Sequence, residues 1–373
     1  MHSLLNPVIA ETKKIARRIA LNSVILCVVH YSSLMQVQAT LQKYDDSDLS
    51  AEADKVLFED INFTQSQLRK AVEEAIVFHQ SLADTVLVTP EYGMQTALKK
   101  APDWAASLLR KKGVIDSVVE KMGSWSFVKR RAEDSSLHTQ YIQRCFDNKE
   151  PVIFRIAFGP VKNINLPMCR QLPDFGEYLT FVQLSRLASA LSTLYPYGIK
   201  IQVVPDNIRA QIANLCPVSH VRSYINGLIK LAEGLGFDQW LLVETDQSRL
   251  YELYNTKNYL DQADAELQDW KNKDPEAFDY KWQSACYNAQ KNIPQTPDDN
   301  TAEVEGAAWR YLVAHRAEII SGMWSPQDVF PLVYANHPNT YQLYSLFQKN
   351  TKLPWQNALP TSLLPDISIP GLQ

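Results

Sequence analysis

The sequence predicts an α/β protein in which a Rossmann-like, mostly parallel sheet is covered by helices, with a helical N-terminal extension and a C-terminal hairpin. Short apolar runs alternate with amphipathic helical stretches from residue 151 onward, whereas the part before it shows helical periodicity only. With 373 residues, 46% of them hydrophobic, the chain can bury a substantial core. We expect a mostly helical region over 1–150, an α/β domain over 151–360 and an irregular tail over 361–373.

Helical patterns dominate the predicted N-terminal region. Apolar residues recur near the 3.6-residue period over Asn62–Ala83, and Pro102–Arg110 and Val114–Met122 continue in the same manner. The polar stretch of mixed charge around Arg130 and Arg131 predicts a loop that leads into the α/β domain.

The first residues of the chain predict an amphipathic helix, Pro7–Leu21, that runs into a buried strand, Val24–Val29. Basic residues precede the apolar stretch, an order that signal peptides also use. Asn22 and Ser23 interrupt that stretch, which is shorter than the roughly 20 apolar residues that a membrane span needs. We therefore expect a cytoplasmic protein without a membrane segment.

Three strands and two helices are predicted at the centre of the α/β domain. Val152–Phe158, Ile199–Val204 and Gln239–Val243 are apolar runs suited to buried strands, and Pro173–Leu194 and Ser219–Leu235 have helical spacing. Their order is a βαβαβ unit, which right-handed crossovers fold into a parallel sheet.

The last third of the chain predicts covering helices over Asn258–Lys271, Glu276–Lys291 and Thr301–Met323. Two β-prone runs, Val329–Ala335 and Tyr341–Phe347, follow them. The turn residues between these two runs predict a hairpin.

Composition and motifs exclude several classes of function. The 37 Lys and Arg residues against 41 Asp and Glu residues give a net charge of −4, which is unsuited to general nucleic-acid binding. The five cysteines form no C-x-x-C pair, so they predict reduced thiols and support neither a zinc ribbon nor a dithiol redox site. The glycine motifs of dinucleotide-binding and P-loop proteins and the G-x-S-x-G motif of hydrolases do not occur.

Polar residues that could carry chemistry follow each of the three central strands. Lys162 comes after the first strand, Asp206 and Arg209 after the second, and Glu244 and Asp246 after the third. Ligands of parallel sheets bind beyond the carboxyl ends of the strands, so these side chains are expected to line one cleft.

Six short motifs follow one another along the chain: F-G-P-V-K (Phe158–Lys162), P-D-F-G-E (Pro173–Glu177), L-Y-P-Y-G (Leu194–Gly198), V-P-D-N-I-R (Val204–Arg209), N-H-P (Asn336–Pro338) and L-P-W-Q-N (Leu353–Asn357). In this order they resemble motifs of the isocyanide (isonitrile) synthase family of pyoverdine and dityrosine biosynthesis. The resemblance covers roughly residues 150–250 and 325–360. The chain departs from the family where Pro205 and Asn207 replace Ser and Gly beside Asp206, and where Gln356 replaces a His.

The resemblance implies an enzyme that joins the α-amine of an amino acid, often tyrosine or tryptophan, to the ketone carbon of ribulose 5-phosphate. Elimination of fragments would then leave an isonitrile. It also implies that no metal or redox cofactor is needed, and that the partners are an amino acid and a sugar phosphate. The oligomeric state stays open.

Three of the expected site residues lie after the first two strands. Lys162 is expected to hold phosphate or act as a base, or else to be a surface lysine. Asp206 is expected to fix an amine or a sugar hydroxyl, or else to cap the next helix. Arg209 is expected to bind phosphate or carboxylate, or else to pair with the same Asp206.

The other four candidates rest on spacing, topology or the resemblance. Glu177 could contact substrate, but its spacing from Asp174 favours a capping box. His337 is a candidate proton shuttle or a solvated turn residue, and Trp355 a wall for an aromatic substrate or a packing residue. Glu244 is a candidate by topology alone.

Two other functions stay open at this point. The departures at Gln356 and beside Asp206 would suit a diverged amino-acid-modifying enzyme of the same fold. The helical first 150 residues would suit a small-molecule or protein-binding module without catalysis.

Overall fold

In the computed structural model, the described residues are 65–82, 102–125, 128–159, 172–212, 216–290, 301–334, 340–343 and 359–372. The strands among them are β1 Val128–Arg130, β2 Val152–Phe158, β3 Ile199–Pro205, β4 Leu241–Val243, β5 Phe330–Val333 and β6 Tyr341–Leu343. They form one sheet in the order β1-β6-β5-β2-β3-β4. All neighbours pair in parallel except β1 and β6. The predicted α/β class with a mostly parallel sheet is therefore confirmed.

The helices among the described residues are α1 Gln65–Leu82, α2 Asp103–Gly123, α3 Ser136–Asn148, α4 Phe175–Ser192, α5 Asn207–Ile212, α6 Val218–Gly234, α7 Ser248–Leu253, α8 Leu260–Lys273, α9 Pro275–Gln290 and α10 Thr301–Ile320. The two helices predicted on either side of Gly113 are two halves of α2, which kinks at that glycine. Gly113 has φ +78°, a left-handed conformation that favours glycine. The predicted stretches Pro7–Leu21 and Val24–Val29 lie outside the described residues.

The chain changes direction across the sheet at β2. From β2 it moves through α4 to β3 and through α5 and α6 to β4, each step toward the same edge. Helices α7 to α10 then carry it back to β5, on the other side of β2. Such a reversal opens a crevice at the carboxyl ends of the two strands that flank it, here β2 and β5.

The predicted C-terminal hairpin is wrong. The strands β5 and β6 are neighbours, but Leu332 pairs with Tyr341 and Val333 with Gln342 in a parallel register. Turn residues between two β-prone runs predict where the first strand ends and the second begins. They do not determine whether the two strands pair in parallel or antiparallel.

A short strand, β1, was not predicted, and its last residue, Arg130, falls in the stretch predicted to be a loop. Val128 pairs with Leu343 and Arg130 with Gln342 in the antiparallel ladder that forms one edge of the sheet. Its pairing partner lies more than 200 residues later in the chain, so local sequence carries no signal of the contact.

The two faces of the sheet differ in chemistry. Phe154, Ile156 and Phe158 of β2 pair with Ile201, Val203 and Pro205 of β3. All but Pro205 belong to the main core, which also holds buried residues of α1 to α4 and α6. We call this side the apolar face. On the opposite side, the polar face, Arg155 pairs with Gln202, and α7 and α10 lie over the sheet.

The C-terminal residues contact the helical N-terminal part. Leu364 is fully buried in the main core, the Gln65 side chain of α1 donates to the carbonyl oxygen of Leu363, and Arg69 pairs with Asp366 at 2.7 Å. The proposed division at residues 150 and 360 stays a prediction. Within the described ranges, no helix is both long and apolar enough to cross a membrane.

Candidate functional site

The carboxyl end of β3 places Asp206 beside the end of β2. Its backbone N–H donates to the carbonyl oxygen of Phe158 at 2.9 Å, so the two strand ends are joined. Its own carbonyl oxygen accepts from Ala210, because α5 begins at the next residue. One helical turn brings Arg209 back to form an ion pair with the Asp206 carboxylate.

Arg209 is the centre of the polar cluster and is only 4% exposed. Its Nη2 pairs with Asp206, and its Nη1 lies 3.2 Å from the hydroxyl of Tyr311 and 3.3 Å from Nδ1 of His315. Its Nε lies 3.3 Å from Oε1 of Glu318 as an ion pair, without the geometry of a hydrogen bond. Each guanidinium nitrogen therefore has a protein partner.

Glu318, on α10, is fully buried. Its Oε1 accepts from Gln247 Nε2 at 3.0 Å and from the Tyr251 hydroxyl at 2.8 Å. Its Oε2 accepts from the indole N–H of Trp324 at 3.0 Å. A buried carboxylate needs such donors, because burial without them would cost several kcal/mol.

Burial and charge act together on the ionisable groups of the cluster. Burial raises the pKa of Asp206, Arg209 opposes this shift, and the negative charge of Glu318 adds to it. Burial lowers the pKa of Arg209, but Asp206 and Glu318 outweigh burial and raise it overall. Burial and the charge of Arg209 lower the pKa of Lys281 on α9.

Asn207 links α5 to the start of α7. Its Nδ2 donates to Asp246 at 2.9 Å, and its Oδ1 accepts from the Gln247 N–H at 2.8 Å. Burial acts to raise the pKa of Asp246, but hydrogen bonds from Ser248 and Asn207 outweigh it and leave the pKa lowered. Asn207 therefore has a structural role, since it holds the loop that contributes Gln247 to the cluster.

Glu244 ends a second polar chain that crosses the sheet. Arg155 donates from Nε to Gln202 at 2.6 Å and from Nη1 to the carbonyl oxygen of Met323. The Gln202 amide in turn donates to Glu244 at 2.6 Å. Glu244 thus lies on the polar face, at the end of the strand next to that of Asp206.

Glu177 belongs to a different part of the molecule. Its Oε2 accepts from the Asp174 N–H and completes the predicted capping box of α4, which is confirmed. Its Oε1 accepts from the Tyr224 hydroxyl of α6 at 2.7 Å, and Asp174 also accepts from Leu359 N–H. Glu177 is fully buried and joins helices on the apolar face, so a contact with substrate stays a prediction.

Of the predicted site residues, the structure brings Asp206 and Arg209 into direct contact and places Glu244 at the neighbouring strand end. Lys162, His337 and Trp355 lie outside the described residues, as does Gln356. Their expected roles stay predictions. Among the described residues, no group of three or more His, Cys, Asp or Glu side chains could hold a metal ion.

Sequence reasoning missed the contribution of α10. Tyr311, His315 and Glu318 are spaced i, i+4 and i+7, so they share one face of the helix. All three meet Arg209. The stripe of polar residues on one face of α10 is the signal in the sequence that could identify them, although the sequence pattern predicts this helix only to cover the sheet.

The comparisons with known proteins are sparse. No protein-family model and no curated protein matches the sequence. Among solved structures, the crystal structure of the PvcA protein from Pseudomonas aeruginosa is similar, with a TM-score of 0.49 and 16% sequence identity over 65% of this chain and 88% of that chain. The fold assignment rests on the strand order and register described above.

Proposed function

We propose that the protein is an enzyme of the isonitrile synthase type, which joins the α-amine of an amino acid to the ketone carbon of ribulose 5-phosphate. The observation that carries the proposal is the buried cluster of Asp206, Arg209 and Glu318 at the carboxyl end of β3. Asp206 and Arg209 lie within the motif Val204–Arg209, and the resemblance to isonitrile synthases includes this motif. A strand end of a parallel sheet is also where enzymes of this class of fold bind their ligands.

The reaction requires a group that removes a proton from the amine, because only the neutral amine attacks a ketone. Condensation forms a C–N bond to the ketone carbon and releases its oxygen as water. Asp206 is suited to this proton transfer, since burial and Glu318 raise its pKa. Because the Arg209 nitrogens already have partners, we assign phosphate binding to Lys162 instead.

Trapping the product tests this proposal. The purified protein is incubated with all the amino acids and ribulose 5-phosphate, an isonitrile-trapping reagent is added, and the products are identified by mass spectrometry. A trapped adduct would establish the reaction and name the amino acid. Folded protein that yields no adduct would contradict the proposed reaction.

The variant Asp206→Asn is expected to lower turnover at least about a hundredfold, since general acid–base groups contribute this much or more. Asp238→Asn is the matched control, because Asp238 is exposed and precedes β4, at the amino end of the parallel strands, whereas Asp206 lies at their carboxyl end. Full turnover by a folded Asp206→Asn protein would show that Asp206 is not part of the site.

The bridge from Asn207 to Asp246 favours a second candidate, a diverged amino-acid-modifying enzyme of the same fold. The bridge occupies the place of a family glycine and could change the space available beside Asp206. Product formation from an amino acid with another carbonyl compound, but not with ribulose 5-phosphate, would select this candidate.

A further inference from the structure

Two carboxylates share one guanidinium in the buried cluster. Arg209 contacts both Asp206 and Glu318, and one positive charge can balance only one of them. Tyr251 and Tyr311 also face the cluster, from α7 and α10. His315 on α10 lies 3.3 Å from Arg209, and the charge of Arg209 acts on Lys281 of α9. Because two carboxylates lie beside one positive charge, protonation of one of them is favoured.

The hydrogen bonds decide which carboxylate that is. Glu318 is fully buried and accepts from three neutral donors, on Gln247, Tyr251 and Trp324, in addition to its contact with Arg209. Donors directed at a carboxylate favour its ionised form. Glu318 is therefore the carboxylate that the cluster surrounds with hydrogen-bond donors.

Asp206 is in the opposite situation. Its side chain is 14% exposed, compared with 0% for Glu318, and it stands at the carboxyl end of β3, next to the end of β2. Asp206 can therefore exchange a proton with a ligand or with solvent, whereas Glu318 is enclosed by its donors. The Arg209 guanidinium, which would otherwise pair with Asp206 alone, is shared with Glu318.

We propose that Asp206 accepts the proton of a substrate ammonium group, and that Glu318 is the positioning residue that makes Asp206 basic enough to do so. In this step an N–H bond of the ammonium breaks, an O–H bond forms on Asp206, and the amine is left neutral with its electron pair free. The proton leaves Asp206 for solvent or for the departing water. The inference rests on the proposed function for the identity of the amine, but the coupling of the two carboxylates does not.

The coupling is measured without turnover, by ¹³C NMR of the full-length protein labelled at the aspartate side-chain carboxyl. The Asp206 signal is identified by its disappearance in Asp206→Asn. In the unsubstituted protein its titration midpoint is expected above that of the exposed Asp238. A midpoint at or below that of Asp238 would overturn the inference, and this comparison needs no variant of Glu318.

Glu318→Gln then tests the positioning role. The midpoint of Asp206 is expected to fall by about one pH unit, since a neighbouring like charge has been removed. Glu233→Gln, at an exposed position of α6, is the matched control and should leave the midpoint unchanged. An unchanged midpoint in folded Glu318→Gln would overturn the inference.

Kinetics separate this inference from the proposed function. If an amino acid is turned over, the acid limb of the pH profile of kcat/KM should shift to lower pH in Glu318→Gln, by the same amount as the NMR midpoint of Asp206. Turnover with no coupled shift would contradict the role of Glu318 and leave the proposed function standing. A coupled NMR shift without turnover of any amine would support the tuning of Asp206 by Glu318, but would refute both the proposed function and the assignment of the proton to an amine.

Discussion

The two faces of the central sheet hold similar backbone elements but opposite chemistry. On the apolar face, Phe154, Phe158 and Ile201 pack against α4 in a core made almost wholly of hydrocarbon. On the polar face, Arg155 lies buried in the middle of β2, and the cluster around Arg209 fills the space under α10. The apolar cluster on that side is much smaller.

This difference separates stability from chemistry. Burial of apolar area contributes roughly 25 cal/mol per Å², so the apolar face supplies most of the free energy that folds the domain. Buried ion pairs contribute little net stability, because desolvation cancels most of their attraction. The cost of the polar face therefore points to a functional reason for keeping it. Substitutions on the two faces should affect different measurements.

The largest effect is expected from Phe181→Ala on the apolar face. Phe181 is fully buried in α4, with its ring centroid 5.9 Å from that of Phe158. The cavity should lower the free energy of unfolding by about 3–5 kcal/mol. Urea denaturation followed by circular dichroism measures this loss. The Asp206 titration midpoint should stay where it was, and a moved midpoint would show that the faces are not independent.

The sequence predicted the elements whose signals are local. The apolar run Val152–Phe158 is a strand over those same residues, and the spacing of Asp174 and Glu177 gave the capping box of α4. Continuous apolar runs and helix caps are properties of neighbouring residues, which is why they can be recognised without a structure.

The sequence failed where distant parts of the chain meet. The direction of β6 and the edge strand β1 depend on pairing across the sheet, which turn residues do not encode. Only part of the buried cluster could be identified from the sequence. Asp206 and Arg209 follow a predicted strand, whereas Glu318 reaches them from a helix more than 100 residues later. Only the packing of α10 on the sheet brings these charges together.

A smaller effect is expected from His138 of α3, the imidazole buried on the apolar face. Its ring lies 4.6 Å from that of Phe330 and 5.4 Å from that of Tyr341, and neither ring nitrogen has a hydrogen-bond partner among the described residues. Burial lowers its pKa from 6.5 to about 4, against the attraction of Asp134. The unfolded chain thus binds this proton more readily than the folded protein between these pH values.

Stability from His138 is therefore complete above its unfolded pKa and is lost as the pH falls from 6.5 toward 4. Between pH 8 and pH 5 the loss should be about 2 kcal/mol. His138→Phe, which suits the aromatic surroundings, should remove this part of the pH dependence. The same slope of unfolding free energy against pH in both proteins would show that His138 is not held neutral.

The smallest effect on stability is expected when one tyrosine hydroxyl is removed on each face of the sheet. Tyr224 on the apolar face and Tyr251 on the polar face each donate a hydroxyl hydrogen bond, at 2.7 and 2.8 Å, to a fully buried glutamate. Removing either hydroxyl with Phe should cost about 1 kcal/mol of unfolding free energy, as for a typical buried hydrogen bond. Stability alone should therefore not distinguish the two variants.

The titration of Asp206 should distinguish them. Tyr251→Phe removes one of the three neutral donors to Glu318, the carboxylate that shares Arg209 with Asp206, so the midpoint of Asp206 should move. In Tyr224→Phe the affected carboxylate is Glu177, which has no place in the Arg209 cluster, and the midpoint should not move. Equal shifts in both variants would mean that loosening the fold, and not the charge of Glu318, controls Asp206.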